Sequence, residues 1–197
     1  MQNFCPAAEN NKQAILQILK QVLQNTDNTL EIGSGSGQHA IYFSAQLPHL
    51  TWQPTELPAV VDALRANLAE HNSPNIRPAV ELNVQQQPWP VASCASIFTA
   101  NTMHIMPWSD VVAFFTGLGQ VLNTQGLLCI YGPFRYNGAF TTPSNERFNQ
   151  WLQSQNPQQG IRDFEQLDQL ANAQGLVLLN DYAMPANNQL LIWNRQS

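Results

Sequence analysis

Three glycines at alternate positions, Gly33, Gly35 and Gly37, close a short apolar run over residues 29–32. Helix-compatible sequence follows at once from Gln38. Few local patterns constrain a fold more tightly: this one demands a strand, a tight turn and a helix N-terminus. Glycine lets the backbone take positive φ and approach a ligand closely. The helix start behind it offers unpaired N–H groups and the positive end of a dipole. A carboxylate or phosphate group is the expected guest.

The spacing narrows the ligand. The dinucleotide fingerprint is G-x-G-x-x-G, but here the third glycine comes one place early and Gln38 holds the sixth position. An NAD-dependent oxidoreductase is disfavoured on that ground. Glu31 stands two residues before the first glycine. An acidic residue, one spacer and G-x-G-x-G resembles the first motif of the class I S-adenosylmethionine-dependent methyltransferases. The resemblance implies that Gly33, Ser34, Gly35 and Gly37 pass beneath the cofactor and that Glu31 orients its methionine ammonium. The next segment, Leu50-Thr-Trp-Gln-Pro-Thr-Glu-Leu57, reads as a strand ending in Glu56. An acid about 20 residues beyond the glycine turn is placed to accept hydrogen bonds from a ribose diol, and it would repel a 2′-phosphate. The alternative is a Glu that simply caps the helix starting near Ala59, but Glu31, the glycines and Glu56 fit one ligand together.

Composition sets outer limits. A chain of 197 residues is most simply one domain, so residues 1–197 are read as one unit. Charged residues make up 11% of the chain, against a usual level of about 25%, and Gln and Asn supply the polar surface instead. A net charge of −5 gives no basic footprint, so nucleic acid is not an expected partner. Cys5, Cys94 and Cys129 are odd in number and form no C-x-x-C pair, which predicts neither a disulfide framework nor a zinc site and fits a reducing cytoplasm. The first residues lack an apolar signal core, and no apolar run approaches the roughly 20 residues of a membrane span.

Hydrophobic periodicity predicts helices over 14–23, 38–46, 59–70, 110–122, 146–153 and 164–173. Ser109 is the expected cap of the fourth, and Asp163 that of the last. Strands are expected over 29–32, 50–53, 76–82, 95–100, 127–131, 176–182 and 189–194, with residues 134–145 irregular. Alternating strands and helices predict a mostly parallel sheet with helices on both faces. The last two strands, joined by a short link, must pair antiparallel. A seven-stranded α/β sheet, parallel except for one strand of a C-terminal hairpin, is the Rossmann-like arrangement of class I methyltransferases. Ligands of such sheets lie beyond the carboxyl ends of the strands.

Further motifs run the length of the chain: Pro6-Ala-Ala-Glu-Asn-Asn11, Gly33-Ser-Gly-Ser-Gly-Gln-His39, Trp52-Gln-Pro-Thr-Glu56, Asn101-Thr-Met-His-Ile105, Tyr131-Gly-Pro-Phe134, Asn137-Gly138, Ser144-Asn145, Gly160-Ile-Arg-Asp163 and Met184-Pro-Ala-Asn-Asn188. Together they closely resemble the methyltransferase-like proteins of domain of unknown function 938. This implies S-adenosylmethionine binding and leaves the substrate unnamed. The family usually has Arg where this chain has Asn10, so any anion contact by that Arg is in doubt here.

Methyl transfer asks the protein mainly to align a nucleophile, with a base needed only if the nucleophile arrives protonated. His104, after the fourth strand, is either such a base or a packed, hydrogen-bonded turn residue. Tyr131 and Tyr136, with Phe134, form an aromatic lip suited to a substrate or to a sulfonium. His39 sits in the first turn after the glycines, where neutral imidazole is favoured, and takes a cofactor-side or structural role. Asn83 stands where the superfamily often has an Asp reading the adenine amino group, and its carbonyl oxygen accepts that bond. Asn101 is grouped with the cofactor residues. Arg162 and Asn187 are substrate candidates, although Asn187 equally suits a turn. Residues 1–25 provide a helix and a candidate lid. No metal is expected, because no cluster has ligand-like spacing.

Two functions follow. One is a methyltransferase, monomer or homodimer, acting on a small molecule that includes anions in its range. The other is a non-catalytic S-adenosylmethionine-binding protein that acts through partner contacts. The absence of an N-P-P-Y-type motif after strand four argues against amino methylation of nucleic acid or glutamine.

Overall fold

The computed structural model describes residues 1–71 and 73–196. Its order is α1 (Pro6–Val22), β1 (Asn28–Glu31), α2 (Gln38–Gln46), β2 (Thr51–Glu56), α3 (Val61–Ala69), β3 (Val80–Glu81), β4 (Cys94–Ala100), α4 (Trp108–Val121), β5 (Leu122–Gly132), β6 (Phe134–Tyr136), β7 (Ala139–Phe140), α5 (Pro143–Gln155), β8 (Arg162–Asp163), α6 (Phe164–Ala173), β9 (Leu176–Met184) and β10 (Asn188–Arg195). Seven strands form one sheet in the order β3-β2-β1-β4-β5-β10-β9. Only β10 runs against its neighbours, pairing antiparallel with both β5 and β9. This is the expected Rossmann-like arrangement.

Side-chain alternation along the strands sorts the core into two layers. Leu128, Ile130, Leu191 and Trp193 face α4 and α6 with Phe114, Phe115, Leu118 and Leu167. Cys129, Tyr131, Leu190 and Ile192 face α1 and α2 with Ile15, Leu19, Phe43 and Trp52. Ile15, Leu16 and Leu19 of α1 are buried in that second layer. Residues 6–11 therefore begin a docked helix. Gln38 Oε1 accepts from Cys5 N at 2.7 Å and fastens the segment further.

Several local expectations give way. β3 shrinks to two residues, because Pro78 has no N–H to give a ladder. Only an isolated bridge from Trp52 to Ile76 marks its earlier part. β5 begins at Leu122, with its polar start interrupted by a register shift opposite residues Cys94 and Ser96. α4 starts at Trp108 with Pro107 in the cap position, and Ser109 Oγ binds the Asp110 side chain instead of the backbone. Asp163 occupies the cap of α6 but spends its carboxylate on Arg135, at 2.5 Å, and on Gly138 N, at 3.0 Å. The stretch expected to be irregular is the β6–β7 hairpin. Asn137 and Gly138 turn it with φ of 50° and 75°, the signature of a tight primed turn. β8 joins β6 in parallel to complete a small three-stranded sheet.

Candidate functional site

The glycine turn is held from both sides. Ser34 N donates to Thr55 O at 2.9 Å, and Ser34 Oγ donates to Glu31 Oε2 at 2.9 Å. Trp52 Nε1 reaches the same carboxylate oxygen at 2.9 Å. Glu31 is 2% exposed. Burial pushes its carboxyl up to about 7, the Trp52 and Ser34 bonds pull it back, and the Glu56 charge adds to the rise. Glu56 Oε2 accepts from Gly35 N at 2.7 Å and Oε1 from Leu57 N at 2.8 Å. The two glycines around this contact differ. A Cβ on Gly37, φ 84°, would sit 2.9 Å from Leu64 Cδ1, so Gly37 is packed. A Cβ on Gly35, φ 57°, would meet nothing within 4 Å, so Gly35 faces open space.

Beyond the strand ends lies a cavity of about 300 Å³, lined by Gly33, Glu56, Leu57, Asn83, Asn101 and Met106 among others. The volume is at the lower bound of small-ligand sites, about 300–1,000 Å³. Asn83 Oδ1 accepts from Gln85 N at 3.0 Å, and Asn101 takes φ 59°. A second cavity of about 330 Å³, against Arg65, Leu68 and Ile76, leads into the opposite end of β3 and holds none of the predicted site residues.

The sheet separates the remaining candidates. His39 lies on the α1 side, where its Nε2 pairs with Asn11 Oδ1 at 2.7 Å and its ring stacks on Phe43. Burial lowers its pKa to about 4. Tyr131 is on that side too, facing the amides of Asn188 and Asn11, with its pKa raised by burial. His104 lies on the α4 side, edge-on to Phe148 at 5.4 Å. Burial and then the Arg162 charge lower its pKa to about 4. The ordinary histidine value near 6.5 expected of a catalytic base is thus displaced.

Three predicted contacts are committed elsewhere. Arg162 Nε donates to Met103 O at 3.0 Å, and its Nη2 donates to Met106 O and Gln158 O. It braces the loop that carries His104. Tyr136 stacks on Phe164 at 5.5 Å and donates to Asp181 Oδ2 at 2.7 Å, away from the cavity lining. Asn187, φ 58°, donates to Ser144 Oγ at 3.1 Å and takes its turn role. Asn10 is exposed. Sequence reasoning missed Trp52 as a partner of Glu31, Asn11 as the partner of His39, and Thr102, whose methyl lies 2.8 Å from where a Gly33 Cβ would be. The signal for Trp52 was its phase: it shares a strand with Glu56, at even spacing.

Among the described residues no group of three or more His, Cys, Asp or Glu side chains is placed to hold a metal ion, and no helix is long and apolar enough to cross a membrane.

Comparisons with solved structures return the same architecture. An O-methyltransferase family protein from Burkholderia thailandensis superposes with TM-score 0.81 at 15% identity, covering 94% of this chain and 56% of that one. The S-adenosylmethionine-dependent methyltransferase SibL gives 0.80 at 13%, covering 96% and 56%. A single-substitution variant of LepI, solved with S-adenosylhomocysteine and a substrate analogue, gives 0.73 at 18%, covering 90% and 46%. The chain thus spans about half the length of these proteins, and the likeness is one of fold. A family model described as protein of unknown function (DUF938) matches residues 2–195. With nearly every residue matched, this chain with a class I methyltransferase fold belongs to the DUF938 family.

Proposed function

We propose that the chain binds S-adenosylmethionine in the cavity beyond β1, β2 and β3 and transfers its methyl group to a small molecule. The observation that carries the reading is the Glu56 carboxylate, held by Gly35 N, on a cavity at the strand ends also lined by Gly33, Asn83 and Asn101.

The donor set fits the cofactor. Each Glu56 oxygen accepts one backbone N–H, and a carboxylate oxygen has room for a second bond, so a ribose diol finds two acceptors. Asn83 offers its carbonyl oxygen to an exocyclic amine. Glu31, held near 7 by burial, ionises when a cationic ammonium approaches, because an opposite charge stabilises the carboxylate. The bound cofactor supplies a methyl group already activated on sulfur. Ile105 and Met106 line the cavity with apolar surface. His104, neutral at physiological pH, offers a nitrogen lone pair or an N–H to the acceptor and carries no charge. Tyr131 stands across the sheet and steadies the junction of α1, β5 and β10.

Isothermal calorimetry is the test. S-adenosylhomocysteine should bind and NAD should bind far more weakly. Equal affinities, or none for S-adenosylhomocysteine, would sink the reading.

A further inference from the structure

Asn67, on the buried side of α3, is 1% exposed. Its Oδ1 accepts from Gln2 N at 2.7 Å, and its Nδ2 donates to Gln2 O and to Ser36 O, both at 2.9 Å. The carboxamide has one orientation, since an N–H must face its oxygen and the two carbonyls its nitrogen. Ser36 stands between Gly35 and Gly37 in the glycine turn. Its hydroxyl donates to Gln38 Oε1 at 2.8 Å, the same oxygen that accepts from Cys5 N. Gln38 is buried too, and its Nε2 reaches Glu9 Oε2 at 3.2 Å. Two side-chain amides thus hold Ser36, one by its carbonyl and one by its hydroxyl. Each also holds the backbone of the N-terminal segment.

Polar contacts, not apolar burial, seat that segment. Residues 1–5 are all exposed, Met1 at 45% and Phe4 at 54%, while Gln2 N, Gln2 O and Cys5 N are bound by the two amides. Segments with few buried apolar contacts open locally at small cost. When residues 2–5 lift away, Asn67 and Gln38 lose partners, and a buried amide left unpaired carries a desolvation penalty. Asn67 recovers by turning towards the water that enters, and that turn takes Nδ2 from Ser36 O. The disturbance has a short path to the cavity. Ser36 adjoins Gly35, whose N–H holds the Glu56 carboxylate at 2.7 Å, and Glu56 lines the cavity.

We propose that Asn67 and Gln38 are positioning residues for the glycine turn, and that the seating of residues 2–5 on them sets how tightly the cofactor is held. Binding and seating then strengthen each other by the same factor, as any coupling between two sites must. The identity of the cofactor rests on the methyltransferase reading above; the coupling of the segment to the turn does not.

The experiment is amide hydrogen exchange by NMR on the full chain, read at Gln2 and Cys5, with calorimetry on the same samples. S-adenosylhomocysteine should slow both amides at least fivefold. Asn67→Ala and Gln38→Met should each weaken its binding at least fivefold. Each should also speed exchange at the amide that it does not touch, Cys5 in Asn67→Ala and Gln2 in Gln38→Met. A purely local structural role would leave that second amide unmoved. If Asn67→Ala fails to fold, Gln38→Met carries the test alone. Exchange indifferent to the ligand, affinity unchanged in a variant whose segment is loosened, or an untouched amide that keeps its protection would each overturn the proposal. A wild-type protein that does not bind S-adenosylhomocysteine overturns the methyltransferase reading instead. The cross-effect between the two amides, measured without ligand, then still decides whether segment and turn are coupled.

Discussion

The tips of β1, β2 and β3 and the tips of β4, β5 and β10 solve different problems. At the first, Glu31 and Glu56 hold their positions through donors from Ser34, Gly35, Trp52 and Leu57, all within one turn and one strand of each other. At the second, His104, Gly132, Phe148, Arg162 and Gln189 come from five separate elements or loops. The first half carries two buried carboxylates, the groups proposed to meet an ammonium and a diol. The second is lined by neutral and aromatic groups beside Arg162, which is held by three backbone carbonyls. The proposed cofactor half is built from a contiguous motif, whereas the other half is built from groups that only tertiary register assembles.

The largest expected effect sharpens the contrast within the first half. Gly37→Ala places a Cβ against Leu64 at positive φ. Strain of about 1–2 kcal/mol and overpacking of about 1–3 kcal/mol should lower stability in urea by the sum. Gly35→Ala should cost only the strain, about 1–2 kcal/mol, and should instead weaken S-adenosylhomocysteine. Equal stability losses would show that the open face of Gly35 is not open.

Protonation breaks the comparison from another side. His39 and His104, one on each face of the sheet, have folded pKa values lowered from 6.5 to about 4. The unfolded chain takes up protons first, so their contribution is full above pH 6.5 and is lost as pH falls towards 4. At 1.36 kcal/mol per unit this is about 3 kcal/mol for each. Glu31 has the opposite sign. Its folded value is raised from 4.5 to about 7, so its favourable contribution is present below pH 4.5 and is lost as pH rises through 7. Glu31→Gln should therefore raise stability at pH 8 by up to about 3 kcal/mol while weakening S-adenosylhomocysteine. Denaturation series at pH 5 and 8 decide it: a variant less stable at pH 8 would mean the carboxylate is already ionised and satisfied in the folded protein.

Smaller effects should stay within their own half. Glu56→Ala should weaken S-adenosylhomocysteine by about 1.5–3 kcal/mol, as for a lost bond to a charged group. Tyr136→Phe removes a hydroxyl bonded to Asp181 and should cost about 0.5–1.5 kcal/mol of stability with cofactor affinity unchanged in calorimetry. Loss of cofactor affinity in Tyr136→Phe would join the two halves.

The same division governs what could be read from the sequence. The mostly parallel sheet, the final hairpin and α6 follow from periodicity and from the length of the links. Glu31, Gly35 and Glu56 lie close in sequence, so their spacing already constrains their geometry. Tyr131 and Tyr136 looked alike as neighbours on one lip. Yet five residues apart, with a sheet change between them, they end in different layers, one beside α1 and the other against α6. Arg162 read as a substrate candidate from the sequence. Its partners are backbone carbonyls of residues 103, 106 and 158, which no side-chain pattern advertises. The β6–β7 hairpin was legible in Asn137-Gly138, the strongest short hairpin signal, but its strands are only three and two residues long.

The placement of β10 has a consequence for assembly. It is the last strand in chain order, yet it lies between β5 and β9, not at an edge. β1 to β5 pair among themselves without it, so the cofactor half is buildable while the rest of the polypeptide is still emerging from a ribosome. β9 has no sheet neighbour until β10 arrives, and Gly132 has no partner across the strand pair until then. The half of the sheet that holds His104 is thus completed only when β10 inserts between β5 and β9, and without that insertion β5 presents an exposed edge.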